Sequence, residues 1–176
     1  MLLELENGTR IVDFEVEDAG RLFGIMDDDR TKEFLPDRFD GEGEMREVLA
    51  WLVSNYGKPD FVRLTYKIEG DGGLLGWVSV GPLPSDESKR EIAYCVDPAH
   101  WGRGYAAAAV KAFAREALDA GLAPELYAEV DERNARSIRV LEKSGFARLG
   151  SASGEAGLGK RLYRMVPAQC RPSISS

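Results

Sequence analysis

The sequence has little of what metal centres and disulfide scaffolds require. Its 176 residues include one histidine, His100, and two cysteines, Cys95 and Cys170. A protein zinc site gathers three or four nitrogen, sulfur or oxygen ligands, so no metal site is expected. Two cysteines far apart exclude a disulfide framework and fit a reducing compartment. No apolar run approaches the roughly 18 residues that cross a bilayer. The opening MLLELENGTR lacks a basic-then-apolar leader. These absences set the expectation of a cytoplasmic protein without membrane contact. Excess positive charge is missing too. Lysine and arginine number 23 against 30 acids, a net charge of −7, the wrong sign for a protein that holds nucleic acid by its phosphates.

What is present is a globular composition, 44% hydrophobic and 30% charged. The length suits one domain with its own core. The expected boundaries are a single domain over residues 1–167 and a disordered tail over 168–176. The charge is uneven. Residues 1–47 carry 15 acids and 6 bases, residues 48–90 balance, and residues 91–176 carry 10 acids and 12 bases.

Alternation predicts a strand over Thr9–Val16, with Val12, Phe14 and Val16 on one face. A helix is expected from Asp18, with Ala19, Leu22, Phe23 and Met26 as its apolar stripe. Residues 27–43 read as an irregular charged loop. A second helix fits Glu44–Tyr56. Strands at Phe61–Ile68, Leu74–Val80 and Arg90–Val96 form an antiparallel meander, with residues 82–89 as a loop. After Asp97-Pro98 come a helix over Gly104–Ala120, a strand over Glu125–Val130 and a helix over Asn134–Ser144. Strands at Phe146–Leu149 and Lys160–Val166 close the chain around a mobile loop, 150–159.

The chemistry concentrates where a strand runs into Gly102-Arg103-Gly104 and then a helix. Glycines let the backbone turn tightly and approach a ligand. The first amides of a helix lack intrahelical partners and attract pyrophosphate. A P-loop needs Lys-Ser/Thr after its second glycine, and Tyr105-Ala106 stands there. A dinucleotide fingerprint is formally met by Gly102, Gly104 and Ala107. That motif belongs to the first βαβ unit of a parallel sheet, not behind an antiparallel meander. An oxidoreductase is therefore a weak reading, and a glycine turn without a ligand is the bland one.

A third reading rests on resemblance. VDPAHWGRGYAAAAVKAF resembles the acetyl-CoA signature of the GCN5-related N-acetyltransferase (GNAT) superfamily, Gln/Arg-x-x-Gly-x-Gly/Ala, matched by Gly104 and Ala106. Trp101 stands where Gln or Arg is usual, a departure shared with the ribosomal-protein N-acetyltransferase (RimJ/RimL-like) branch. A second block, from Asn134 to Phe146, resembles the family's N-x-x-[AS]…G-F helix at the expected distance. The resemblance spans about residues 9–166. It implies an α+β, three-layer fold. A mostly antiparallel mixed sheet of about seven strands would be splayed between the fourth and fifth, Arg90–Val96 and Glu125–Val130, and flanked by four helices.

The resemblance also implies roles. Acetyl-CoA is the cosubstrate and a primary amine the acceptor, either a protein N-terminus or a small molecule, with a homodimer as a family possibility. Backbone groups of Cys95 and Val96 pair with the pantetheine arm, and Gly102, Arg103, Gly104, Tyr105 and Ala106 hold the pyrophosphate. Arg103 is equally a solvated surface base, and Asn134 binds pantetheine or simply caps its helix. Leu141 occupies the position where many members carry a tyrosine acid. Ser137 is the substitute donor, unless its hydroxyl bonds back to the helix. Glu91 is the base candidate, unless it is an edge charge facing solvent. Glu129 and Tyr94 stand in reserve. The acids of 27–43 fit attraction of a cationic acceptor or a merely solvated loop, and Phe34-Leu35-Pro36 would pack on the acceptor. The missing tyrosine also keeps open a non-catalytic acyl-CoA sensor on the same fold.

Overall fold

Apolar side chains at every second position build the sheet, because a strand turns alternate residues to opposite faces. The computed structural model describes residues 2–58, 62–152 and 159–168. Its strands are β1 (Leu2–Glu4), β2 (Arg10–Val12), β3 (Leu64–Gly70), β4 (Gly73–Leu83), β5 (Asp86–Val96), β6 (Leu126–Asp131), β7 (Ala147–Ser151) and β8 (Lys160–Met165). They form one sheet in the order β1-β2-β3-β4-β5-β6-β8-β7. Every neighbouring pair is antiparallel except β5 and β6.

Helices cover both faces. α1 (Ala19–Asp27), α2 (Asp29–Lys32) and α3 (Glu42–Asn55) belong to one layer; α4 (Tyr105–Asp119) and α5 (Ala135–Ser144) belong to the other. Two apolar clusters record this division. Val78, Ile92, Val96, Ala128 and Val130 pack with Val110 and Phe113 of α4 and Leu141 of α5. Cys95 and Leu74 pack with Leu22, Ile25, Met45 and Leu49 of α1 and α3. Even-numbered residues of β5 and β6 thus face α4 and α5, and odd-numbered residues face the other layer. Among the described residues no helix is long and apolar enough to cross a membrane.

The parting of β5 from β6 positions the site. β5 pairs with β4 up to Val96 but with β6 only at Glu91 opposite Tyr127. A Cβ at Gly76 of β4 would lie 2.0 Å from the Cys95 carbonyl oxygen. Only glycine lets β4 hold the end of β5 while β6 diverges.

The α+β, splayed-sheet expectation agrees with this architecture, with differences in detail. Among the described residues there are eight strands rather than about seven, because Leu2–Glu4 adds an edge strand. The first predicted strand pairs only over Arg10–Val12, since the chain turns at Val16–Asp18 into a 3₁₀ turn. The expected loop 82–89 is a tight hairpin that lengthens β4 to Leu83 and starts β5 at Asp86. Residues 27–43 contain the single-turn α2, and α3 starts at Glu42 rather than Glu44. Asp18 does not cap α1 with its side chain; its carboxylate accepts from the Glu15 amide and pairs with Lys67. The predicted start of a strand at Phe61, positions 153–158 of the expected mobile loop and 169–176 of the expected tail lie outside the described residues.

Candidate active site

Where β5 and β6 separate, a cleft of about 410 Å³ opens through the sheet. Of the residues singled out from sequence, Glu91, Cys95, Val96, Gly102, Gly104, Tyr105, Ala106, Asn134 and Ser137 line it. Arg103 is exposed and is not among the lining residues.

The glycine loop is anchored before it turns. The Asp97 carboxylate accepts from the Ala99 amide at 2.9 Å and ion-pairs with Arg21. Burial works against its charge, yet the Ala99 amide and Arg21 outweigh that and hold its pKa below the ordinary value. His100 places Nδ1 3.3 Å from the same carboxylate. The Trp101 indole donates to the Val96 carbonyl at 2.7 Å, pinning the loop to the end of β5. Arg136 of α5 lies 3.8 Å over the Trp101 ring, a cation–π contact that ties loop to helix. Trp101 therefore does structural work at the position where the signature departs.

Gly104 then takes a left-handed conformation, φ +82°, as the residue preceding α4. No side chain caps this helix, so its first amides are left for an incoming acceptor. A Cβ at Gly102 or Gly104 would meet nothing of the protein within 4 Å. The open space and free amides suit a pyrophosphate, and Arg136, Arg139 and Lys143 add positive charge to the same cleft. Asn134 does cap its helix: its side-chain oxygen accepts from the Ser137 amide at 3.0 Å.

The reactive groups divide by face. On the α4/α5 face, the Tyr94 phenol lies 2.7 Å from the Ser137 hydroxyl and 3.2 Å from the Ser137 carbonyl. Burial pushes the phenol's pKa up, so it stays protonated. Leu141, one turn on, is buried. On the opposite face stand Glu91 and Glu129. Glu91 is buried, and Arg63 donates to its Oε1 at 3.0 Å. Burial raises the Glu91 pKa above the usual carboxylate range; Arg63 opposes this and Glu129 adds to it. Cys95 shares this face, where burial raises its thiol to about 12. Such a thiol is a neutral packing group rather than a nucleophile at neutral pH. Among the described residues no cluster of three or more His, Cys, Asp or Glu is placed to hold a metal.

The acidic segment behaves differently from the charge arithmetic. Arg30, Thr31, Phe34 and Leu35 line the cleft, whereas Asp27, Asp28 and Asp29 do not. Asp28 binds Arg30, and Lys32 bridges Asp27 and Asp29. Acid on the cleft wall comes instead from Glu91, Glu129 and Asp131, the last paired with Arg133. Arg63 and Lys160, which partner Glu91 and Glu129, were not singled out from sequence. The sequence named Glu91 and Glu129 separately, as base candidate and reserve; the β5–β6 register is what sets them on one face.

The acetyltransferase (GNAT) domain family matches residues 9–147. The protein YkkB of Bacillus subtilis (strain 168), described as uncharacterized, is 28% identical over 135 residues, covering 74% of this chain and 77% of YkkB. Among solved structures, ribosomal-protein-S5-alanine acetyltransferase from Vibrio fischeri matches with a TM-score of 0.78 at 18% identity, covering 98% of this chain and 100% of that one. Mycobacterium smegmatis RimJ, in complex with CoA-disulfide, matches with a TM-score of 0.77 at 19% identity, covering 98% of this chain and 88% of RimJ. At these identities the solved structures speak for the fold. With the family match running through both sequence blocks, the chain belongs to the GNAT acetyltransferase family and is an acetyl-CoA-dependent acetyltransferase.

Proposed function

We propose that this protein transfers the acetyl group to a primary amine, either a protein N-terminus or a small aliphatic amine, with Glu91 as base and Ser137 as donor to the departing sulfur. The observation that carries the reading is the opposition of these groups. Glu91 and the Tyr94–Ser137 pair line one cleft, yet they stand on opposite faces of the splayed sheet. An acceptor is approached from one face and the leaving group from the other.

Acetyl-CoA supplies a thioester, an acyl carbon activated for attack. At Cys95 and Val96 the edge of β5 that β6 leaves uncovered offers backbone groups to pantetheine as an added strand would, with the Val96 carbonyl shared with Trp101. Amides from Gly102 to Ala106 hold the pyrophosphate at the start of α4. Asn134 keeps its amide nitrogen available while its oxygen caps α5. Arg103 contributes charge at the loop's outer side. Glu91 accepts, in turn, the two protons that an ammonium nitrogen sheds on becoming an amide, and passes them to solvent. The new C–N bond replaces the C–S bond. Ser137 aims its hydroxyl at the sulfur and delivers one proton, which Tyr94 restores to Oγ and regains from solvent. Overall, one ammonium and one thioester give one amide, one thiol and one released proton.

The test is an acetyl-transfer assay over a panel of peptides with free N-termini and aliphatic amines, with product mass as the readout. Wild type should acetylate a member of the panel. Glu91→Gln should lower kcat without loosening acetyl-CoA.

A further inference from the structure

Glu129 has a carboxylate whose second oxygen the fold buries without a hydrogen-bond donor. The single β5–β6 register pair sets Glu91 opposite Tyr127, and Glu129 is the next residue on that face. That places it about 6.6 Å further along β6 at the usual rise per residue, on the cleft wall beside Glu91. Its side chain is only 2% exposed. Oε1 accepts from the Ser85 hydroxyl. Oε2 is buried without a hydrogen-bond partner. Lys160 stands 3.6 Å from Oε2, an ion pair beyond hydrogen-bond reach.

Buried carboxylate oxygens are seldom left without a donor, because desolvation is then uncompensated. Glu91 is not in this position, since Arg63 already donates to it. The two acids therefore differ: Glu91 accepts from Arg63, and Glu129 keeps one buried oxygen with an ion pair but no hydrogen-bond donor. Phe34 and Leu35 of the facing layer add an apolar wall to the same cleft. A carboxylate oxygen without a donor, near an apolar wall, matches an alkylammonium, which brings N–H donors, positive charge and a hydrocarbon stem.

We infer that Glu129 is the ammonium-binding residue of the acceptor site, holding a cationic aliphatic amine at Oε2 while neighbouring Glu91 removes its proton. This rests on the amine-acetyltransferase reading and narrows it to acceptors that arrive as cations. Lys160 serves as a stand-in ammonium that the acceptor displaces, and it is partly exposed, with room to swing away.

The experiment measures steady-state kinetics with two probes, n-butylamine and trialanine amide, alongside calorimetric acetyl-CoA binding. Glu129→Gln keeps size and the Ser85 contact but removes charge. It should raise KM for both amines about tenfold, with kcat within twofold and acetyl-CoA Kd unchanged. Lys160→Met removes the competing cation and should lower KM. Glu91→Gln should instead lower kcat. If wild type acetylates either probe but Glu129→Gln leaves its KM unchanged, or weakens acetyl-CoA equally, the inference falls and the amine reading stands. If wild type binds acetyl-CoA and acetylates neither probe, the inference falls, and the amine reading falls with it only when the whole amine panel also stays unacetylated.

Discussion

The Tyr94 phenol approaches the Ser137 hydroxyl to 2.7 Å, joining β5 to α5 where the sheet is open. In the proposed mechanism this contact takes the place of the tyrosine acid whose position Leu141 occupies. When the phenol donates to Ser137 Oγ, the serine keeps its own hydrogen for a third atom, which in the proposed mechanism is the leaving sulfur. Ser137→Ala should lower kcat about a hundredfold, within the range for a lost general acid, and leave the acceptor KM unchanged. Tyr94→Phe should lower kcat by a smaller factor, because Ser137 remains. A steady-state comparison of both variants checks this. A larger loss in Tyr94→Phe would reverse the assignment.

The pH profile should report Glu91. With Glu91 as the proposed base, turnover requires its carboxylate, and burial raises its pKa above the ordinary 4.5, so activity should fall as pH drops through that raised value. Arg63 lowers the pKa and Glu129 raises it. Arg63→Met should therefore move the acid limb of kcat/KM to higher pH, and Glu129→Gln should move it lower. Opposite displacements of one limb by two neighbours identify the titrating group.

Two left-handed glycines separate stability from coenzyme binding. Gly104, φ +82°, precedes α4 in the cleft, and Gly121, φ +71°, follows the same helix outside it. At either position an added Cβ would have no neighbouring atom within 4 Å. Alanine at either site should cost about 1–2 kcal/mol, the penalty for an L-residue held left-handed. Thermal melts should match, but only Gly104→Ala should raise acetyl-CoA Kd, by about tenfold in calorimetry.

The acidic segment gives a prediction of no effect. Asp27, Asp28 and Asp29 are engaged by Lys32 and Arg30 and lie off the cleft wall. Changing all three to asparagine should leave acceptor KM within twofold. Exposed pairs of this kind contribute little.

Much of this was legible because it is local. The glycine loop, the alanine-rich α4 and the Asn134 cap are written in adjacent residues, and they lie where the spacing predicted. The strand β1 was missed because Leu2–Glu4 is too short to show a period. The β4–β5 hairpin looked like a loop because prolines are rare within sheets; Pro82 is accommodated beside a register irregularity. Charge direction was the hardest to read. The sequence places many acids at 27–43 but not where they point, and Glu129 acquires its character from Ser85 and Lys160, each distant along the chain.

The central claim is catalytic amine acetylation. The most direct measurement incubates the purified protein with acetyl-CoA and the amine panel, and follows product mass and free CoA together. The account predicts amine-dependent CoA release matched by acetylated amine, suppressed in Glu91→Gln while acetyl-CoA still binds. Tight acetyl-CoA binding with no acetylated product from any amine would contradict it and mark the fold as a sensor.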